Sequence, residues 1–294
     1  MLDYWVVAGA LDDVRIVADS PAGLVEGRSD GCIASRVAGF WDHGGGPSAD
    51  TQLPSTGMIL IVSLGPKMRV ATSSVNEDRT VRSFVAGLQL GPATTEHDGD
   101  QEGIQVDLTP LAARAIFGVP LHELSNRCID LDDLVGARID RLVDELRDAK
   151  SWTRRFEVVD RELRRAIAAG PSPAPESRWL YEQLMVGADE GRLGRLVEQT
   201  GRSHRHLAAQ FKRDVGLAPK AFARLVRFRR AVRLLRAQAP LARASVDAGY
   251  YDQAHFTREF QSIGGTTPGR MRTAASGAPE VQFVQDDDGA RFYG

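Results

Sequence analysis

Apolar and polar positions change their rhythm along this chain, and the changes divide it. Residues 31–108 read mainly as strands and turns. Gly57-Met58-Ile59-Leu60-Ile61-Val62-Ser63-Leu64 is a continuous apolar run that predicts a buried strand. Ile104, Val106 and Leu108 alternate with polar neighbours as in a half-exposed strand. Turn-rich stretches lie between, such as His43-Gly44-Gly45-Gly46-Pro47 and Glu96-His97-Asp98-Gly99-Asp100. A small, mostly antiparallel sheet or barrel fits this pattern.

The period then becomes helical. Thr109 is placed as an N-cap with Pro110 in the first turn, and Gly118 stops a helix over 111–117. Leu131, Leu134, Val135, Ile139, Leu142, Val143 and Leu146 recur at helical spacing, as do Phe156, Val159, Leu163 and Ile167. Ala169-Gly170-Pro171-Ser172-Pro173-Ala174-Pro175 cannot continue a helix and reads as a semi-rigid spacer.

Beyond it a pattern occurs twice. The first copy runs Leu193, Leu196, Gly201, Ser203, Leu207, Phe211, Gly216, Pro219; the second runs Leu241, Ala244, Gly249, Asp252, Phe256, Phe260, Gly265, Pro268. Each copy predicts a short apolar helix, a glycine turn, a capped second helix and a Gly-x-x-Pro stop, which is the outline of a helix-turn-helix. Between them, residues 219–238 read as one long helix, with Arg224, Arg227, Arg229, Arg230, Arg233 and Arg236 surrounding its apolar positions. A rigid linker would hold two reading helices about 34 Å apart, one turn of DNA.

Charge sharpens that reading. The net charge of −2 hides an asymmetry: residues 192–272 hold 17 Lys and Arg against 5 Asp and Glu, whereas residues 1–191 hold 19 against 30. A basic domain on an acidic partner suits phosphate binding by one half. Only Cys32 and Cys128 are present, without zinc-site spacing, so a reduced cytoplasmic protein is expected. Met1 to Ala10 has Asp3 and no basic stretch, so a secretory signal is not expected, and no run reaches the roughly 20 apolar residues of a membrane span. No metal is expected either, because His204, His206 and His255 lie on two separate helices without a third ligand set.

Candidate DNA-reading residues follow from the helical period. With Leu207 and Phe211 inward, Ser203, His204, Arg205, Ala208, Ala209 and Lys212 belong to the cap and outer face of the first reading helix. With Phe256 and Phe260 inward, Gln253, Ala254, Thr257, Arg258 and Gln261 belong to that of the second. Arg205 can bond guanine O6 and N7 together, Gln253 can pair with adenine N6 and N7, and Thr257 or Ala254 can touch a thymine methyl. Lys212 can reach the backbone, and Arg258 either a base edge or the backbone. The two helices therefore should read different half-sites.

At these residues the stretch resembles the DNA-binding domain of the AraC/XylS family of bacterial transcription regulators. The likeness rests on Gly201-Arg202-Ser203, Leu207, Phe211-Lys212, Gly216 and Pro219, then on Arg227-Phe228-Arg229-Arg230-Ala231 with Leu234-Leu235. It continues in Gly249-Tyr250-Tyr251-Asp252-Gln253-Ala254-His255-Phe256, Arg258, Phe260, Gly265, Thr267 and Pro268. The resemblance implies a seven-helix domain with two helix-turn-helix units. Ala209 stands where the family commonly has arginine, Gln261 where lysine is usual, and Ala244-Ser245 where Ile/Val-Ala is usual. A looser likeness links Leu53-Pro54-Ser55, Leu108-Thr109-Pro110-Leu111-Ala112-Ala113-Arg114 and Phe117-Gly118-Val119-Pro120 to the sensory domain of a subgroup of these regulators.

The expected architecture is thus an α+β sensory or dimerisation domain over residues 1–168 and a Pro-rich linker over 169–175. An all-α double helix-turn-helix domain over 176–272 and a tail over 273–294 follow. Expected partners are double-stranded DNA, a second copy of the chain, RNA polymerase and a small-molecule effector, with no cofactor, no catalytic residue and no membrane. The rival from another class is a helix-turn-helix module fused to a catalytic front domain, such as an alkyl-transfer repair domain using Cys32 or Cys128.

Overall fold

The computed structural model describes residues 14–16, 22–27, 34–42, 47–186 and 203–275. The front of the chain forms two antiparallel sheets. The first comprises β1 (Val14–Ile16), β2 (Ala22–Gly27), β3 (Ala34–Asp42), β5 (Met58–Ser63), β8 (Phe84–Ala86), β10 (Gln101–Leu108) and β11 (Cys128–Asp130) in the order β1-β2-β3-β10-β5-β8-β11. The second comprises β4 (Ser48–Gln52), β6 (Met68–Thr72), β7 (Glu77–Val81) and β9 (Ala93–His97) in the order β4-β9-β6-β7.

The two sheets close on a small core of Phe40, Ile61, Phe84 and Cys128 from the first and Met68, Val70 and Val81 from the second. The other face of the first sheet packs Met58, Leu60, Val62, Val85, Ile104, Val106 and Leu108 against helices. These are α1 (Pro110–Phe117), α2 (Leu131–Val135), α3 (Arg138–Asp148) and α4 (Trp152–Ala169). Thr109 caps α1 by accepting from the Ala112 N–H, and the Gly118 N–H returns to the Arg114 carbonyl. The single helical period running from Leu131 to Leu146 is broken in two at Gly136-Ala137.

The structure corrects one strand expectation. β10 is not half-exposed: paired on both sides and covered on both faces, it buries its polar positions as well. Gln101, Gln105 and Asp107 are almost fully buried, and the Gln105 amide donates to Asp107 Oδ1 at 2.7 Å, so each offsets part of the other's desolvation. Alternation signals which residues share a face, but a second sheet had to be present for the polar face to go inside. A smaller shift concerns Glu96 and His97, which end β9 and do not belong to the turn after it.

The second half is helical: α5 (Pro175–Val186), α6 (His204–Val215), α7 (Pro219–Arg236), α8 (Leu241–Asp247), α9 (Gln253–Gly264) and α10 (Pro268–Ala275). Leu193, Leu196, Gly201 and Arg202 of the first repeat, Cys32, and the tail from residue 276 onward lie outside the described residues. The linker does not stand free as a spacer. Pro173 is buried, Gly170 sits so close to the Ala115 carbonyl that a Cβ has no room, and the Ala174 N–H donates to Asp214 Oδ2 at 3.2 Å. One apolar core continues from the first sheet through Phe117, Leu121 and Leu124 to Val215, Leu217 and the helices beyond.

Candidate nucleic-acid interface

The two reading helices are built alike. In α6, Ser203 Oγ accepts from the His206 N–H at 3.3 Å; in α9, Asp252 Oδ1 accepts from the His255 N–H at 2.6 Å. Each cap satisfies one of the N–H groups that a helix start leaves free. Leu207 and Phe211 of α6 and Phe256 and Phe260 of α9 are buried, and their rings meet Phe222 and Phe228 of the long helix α7. The turn before α9 needs a glycine, since Gly249 adopts φ +89°.

That inner stripe leaves the expected outer face in solvent. Ser203, His204, Arg205, Ala209 and Lys212 are exposed and Ala208 half-buried; Gln253, Ala254, Arg258 and Gln261 are exposed and Thr257 half-buried. The Thr257 hydroxyl donates to the Gln253 carbonyl at 2.9 Å, which occupies its proton within the helix.

Arg227, expected among the arginines surrounding the apolar positions of α7, lies inside. Its side chain is buried, with Nη2 3.0 and 3.3 Å from the two carboxylate oxygens of Glu259 on α9 and Nε 3.3 Å from Oε1. Arg224 adds a third donor, Nε to Glu259 Oε2 at 3.0 Å, and His255 Nε2 lies 3.6 Å from the same oxygen. The Arg227 guanidinium also lies 5.6 Å from the centroid of the Tyr250 ring. Burial pushes the Tyr250 phenol well above its ordinary range, and the nearby Glu259 charge adds to this. Residues of α7 and the first turn of α9 thus meet at one carboxylate, with Tyr250 of the preceding turn against Arg227.

Sequence reasoning missed Glu259, although a signal was present. It lies three residues after Phe256 and beside Phe260, on the edge of the buried stripe, where an acid is costly unless a cation faces it. Tyr251 was also passed over. It stands directly before the Asp252 cap and is 94% exposed, an unusual place for a tyrosine that only packs.

Residues 196–274 match a family model described as a helix-turn-helix domain. This region is a helix-turn-helix domain. It is a DNA-binding module, and the resemblance drawn from Gly201 through Pro268 is borne out there. No curated protein matches the sequence. Among solved structures, ToxT from Vibrio cholerae is 9% identical, with 79% of this chain and 98% of that one covered at a TM-score of 0.46. The C-terminal domain of AraT, a response regulator from Geobacillus stearothermophilus, is 18% identical over 38% of this chain and 96% of its own, at 0.34. The AraC-like transcriptional activator CuxR is 10% identical over 89% and 90%, also at 0.34.

Cys128 does not look like an activated nucleophile. It is fully buried between the sheets, and burial together with the Glu77 charge pushes its thiol up to about 12. A reactive cysteine needs the opposite shift and access to solvent. No helix among the described residues is long and apolar enough to cross a membrane.

Proposed function

We propose that the chain is a sequence-specific transcription regulator in which α6 and α9 read different half-sites and the front domain receives the controlling signal. One observation carries this reading most: two capped helices share a buried scaffold while their outward residues differ, Arg205 and Lys212 on one against Gln253, Thr257 and Arg258 on the other. A scaffold that only bound phosphate would have no use for the difference, since phosphate contacts position and base contacts specify. The local charge of +12 over residues 192–272 supplies the nonspecific attraction.

The signal is a small-molecule effector or a second copy of the chain bound by the front domain, and RNA polymerase is the partner through which a bound regulator acts. A cavity of about 190 Å³ in that domain is lined by Lys67, Arg82 and Arg147 against Asp130, Asp132 and Asp140. It is smaller than the roughly 300 Å³ at which ligand pockets begin, so it suits only a small, charged effector. In vitro selection of double-stranded DNA with the full chain tests the central reading. An enriched motif with two unlike halves supports it; binding no better than to random DNA at physiological salt defeats it. Sedimentation of the free chain then tests the dimer.

A further inference from the structure

The Gly-x-x-Pro stops of the two repeats have something in common beyond ending helices, for both face the front domain. At the first stop, Gly216 is buried with φ +102°, and a Cβ on it would lie 2.7 Å from Ser125 Oγ and 3.5 Å from Leu121 Cβ. Ser125 Oγ lies 2.9 Å from the Gly216 carbonyl and 3.1 Å from that of Leu121, so its one proton is shared between the front domain and the end of α6. At the second stop, a Cβ on Gly265 would lie 2.9 Å from Pro92 Cγ, on the loop between β8 and β9.

Asp214, in the last turn of α6, adds an electrostatic tie. It is 2% exposed and accepts from the linker's Ala174 N–H, while Arg114 of α1 reaches it at 3.5 Å and Arg213 at 3.7 Å. An acid at a helix C-terminus is opposed by the helix dipole, so its burial there calls for the Arg114 charge and not for helix stability. Each reading helix is 12 residues long, or roughly 18 Å. The front domain therefore holds both at their far ends and leaves the capped ends, with Arg205 and Gln253, clear of it.

We propose that the front domain is a gauge for the two reading helices: Pro92, Arg114, Leu121 and Ser125 hold both C-terminal stops and so set the half-site separation that the protein accepts. These are positioning residues and touch no DNA. The proposal rests on the DNA-binding reading above. It gives the front domain a way to transmit a signal, because moving either contact tilts one reading helix relative to the other.

One base pair moves a half-site by about 3.4 Å along the duplex, so spacing is a sensitive readout. The test uses the full chain and its selected operator, with versions in which one or two base pairs are added or removed between the halves. Wild type is compared with Ser125→Ala, Pro92→Gly and the charge-free pair Arg114→Gln with Asp214→Asn. Wild type should reject altered spacings, and each variant should lose about 5-fold or more of that discrimination while still binding an isolated half-site as wild type does. A merely structural role would weaken all probes alike. Unchanged discrimination in Ser125→Ala and Pro92→Gly proteins with a wild-type melt overturns the gauge, even if the charge-free pair fails to fold. If wild type itself selects no sequence, the DNA-binding reading falls first.

Discussion

Replacing Glu259 with alanine removes the carboxylate shared by three short contacts of the buried Arg227 guanidinium. The Arg227 side chain is 9% exposed and Glu259 only 7%, so water cannot take over the lost contacts, whereas Arg224, at 33%, can turn outward. Breaking a buried pair from one side costs about 3–5 kcal/mol, because it leaves an uncompensated charge inside. For a cooperative unit of this size each kcal/mol lowers the melting temperature by about 2–4 °C, so Glu259→Ala should melt roughly 6–20 °C below wild type. Removing both charges with Arg227→Met and Glu259→Leu should return stability to within about 1–2 kcal/mol of wild type, since two apolar side chains fill the space without a stranded ion. Thermal melts of the full chain followed by circular dichroism measure all three proteins. A single variant that melts within about 2 °C of wild type, or a double variant as unstable as the single, would show that the pair is not desolvated and refute the reasoning.

Three further outcomes are expected. Arg205→Ala should lose about 1–3 kcal/mol of discrimination at one base position in competition binding, while Lys212→Ala should weaken all sequences alike and lower the salt slope by about 1. Tyr250→Phe should raise stability by about 1 kcal/mol, because the buried hydroxyl has no hydrogen-bond partner among the described residues; a lower melting temperature would point to a hidden acceptor. Cys128 should resist iodoacetamide in the native protein at about pH 8 and react only on denaturation. Its folded thiol stands near 12 against an ordinary 9.0, so its stabilising contribution is complete below pH 9.0 and is lost as pH rises towards 12. Rapid native labelling would contradict the burial.

The helix-turn-helix outline was legible in the chain because every cue in it is local. Ser203 and Asp252 cap helices three residues ahead of their acceptor's partners, Gly249 marks a backbone angle, and Leu207, Phe211, Phe256 and Phe260 define one stripe each by period alone. The outward residues followed by subtraction. Contacts between distant segments are set by partners that no local period names. Arg227 carries the same charge as the half-buried Arg224, Arg229 and Arg230 beside it, and only the arrival of Glu259, 32 residues on, decides that it goes fully inside. β10 reads as alternating whether its polar face meets water or a second sheet. The proline linker reads as a spacer until Asp214, 40 residues later, accepts its N–H. The sequence by itself determined the two capped helices and which side chains they turn outward, through short-range geometry and hydrophobic period. Tertiary structure alone decided how they are held, because a charge or a polar face can be placed inside only once a partner from elsewhere in the chain makes up its lost hydration.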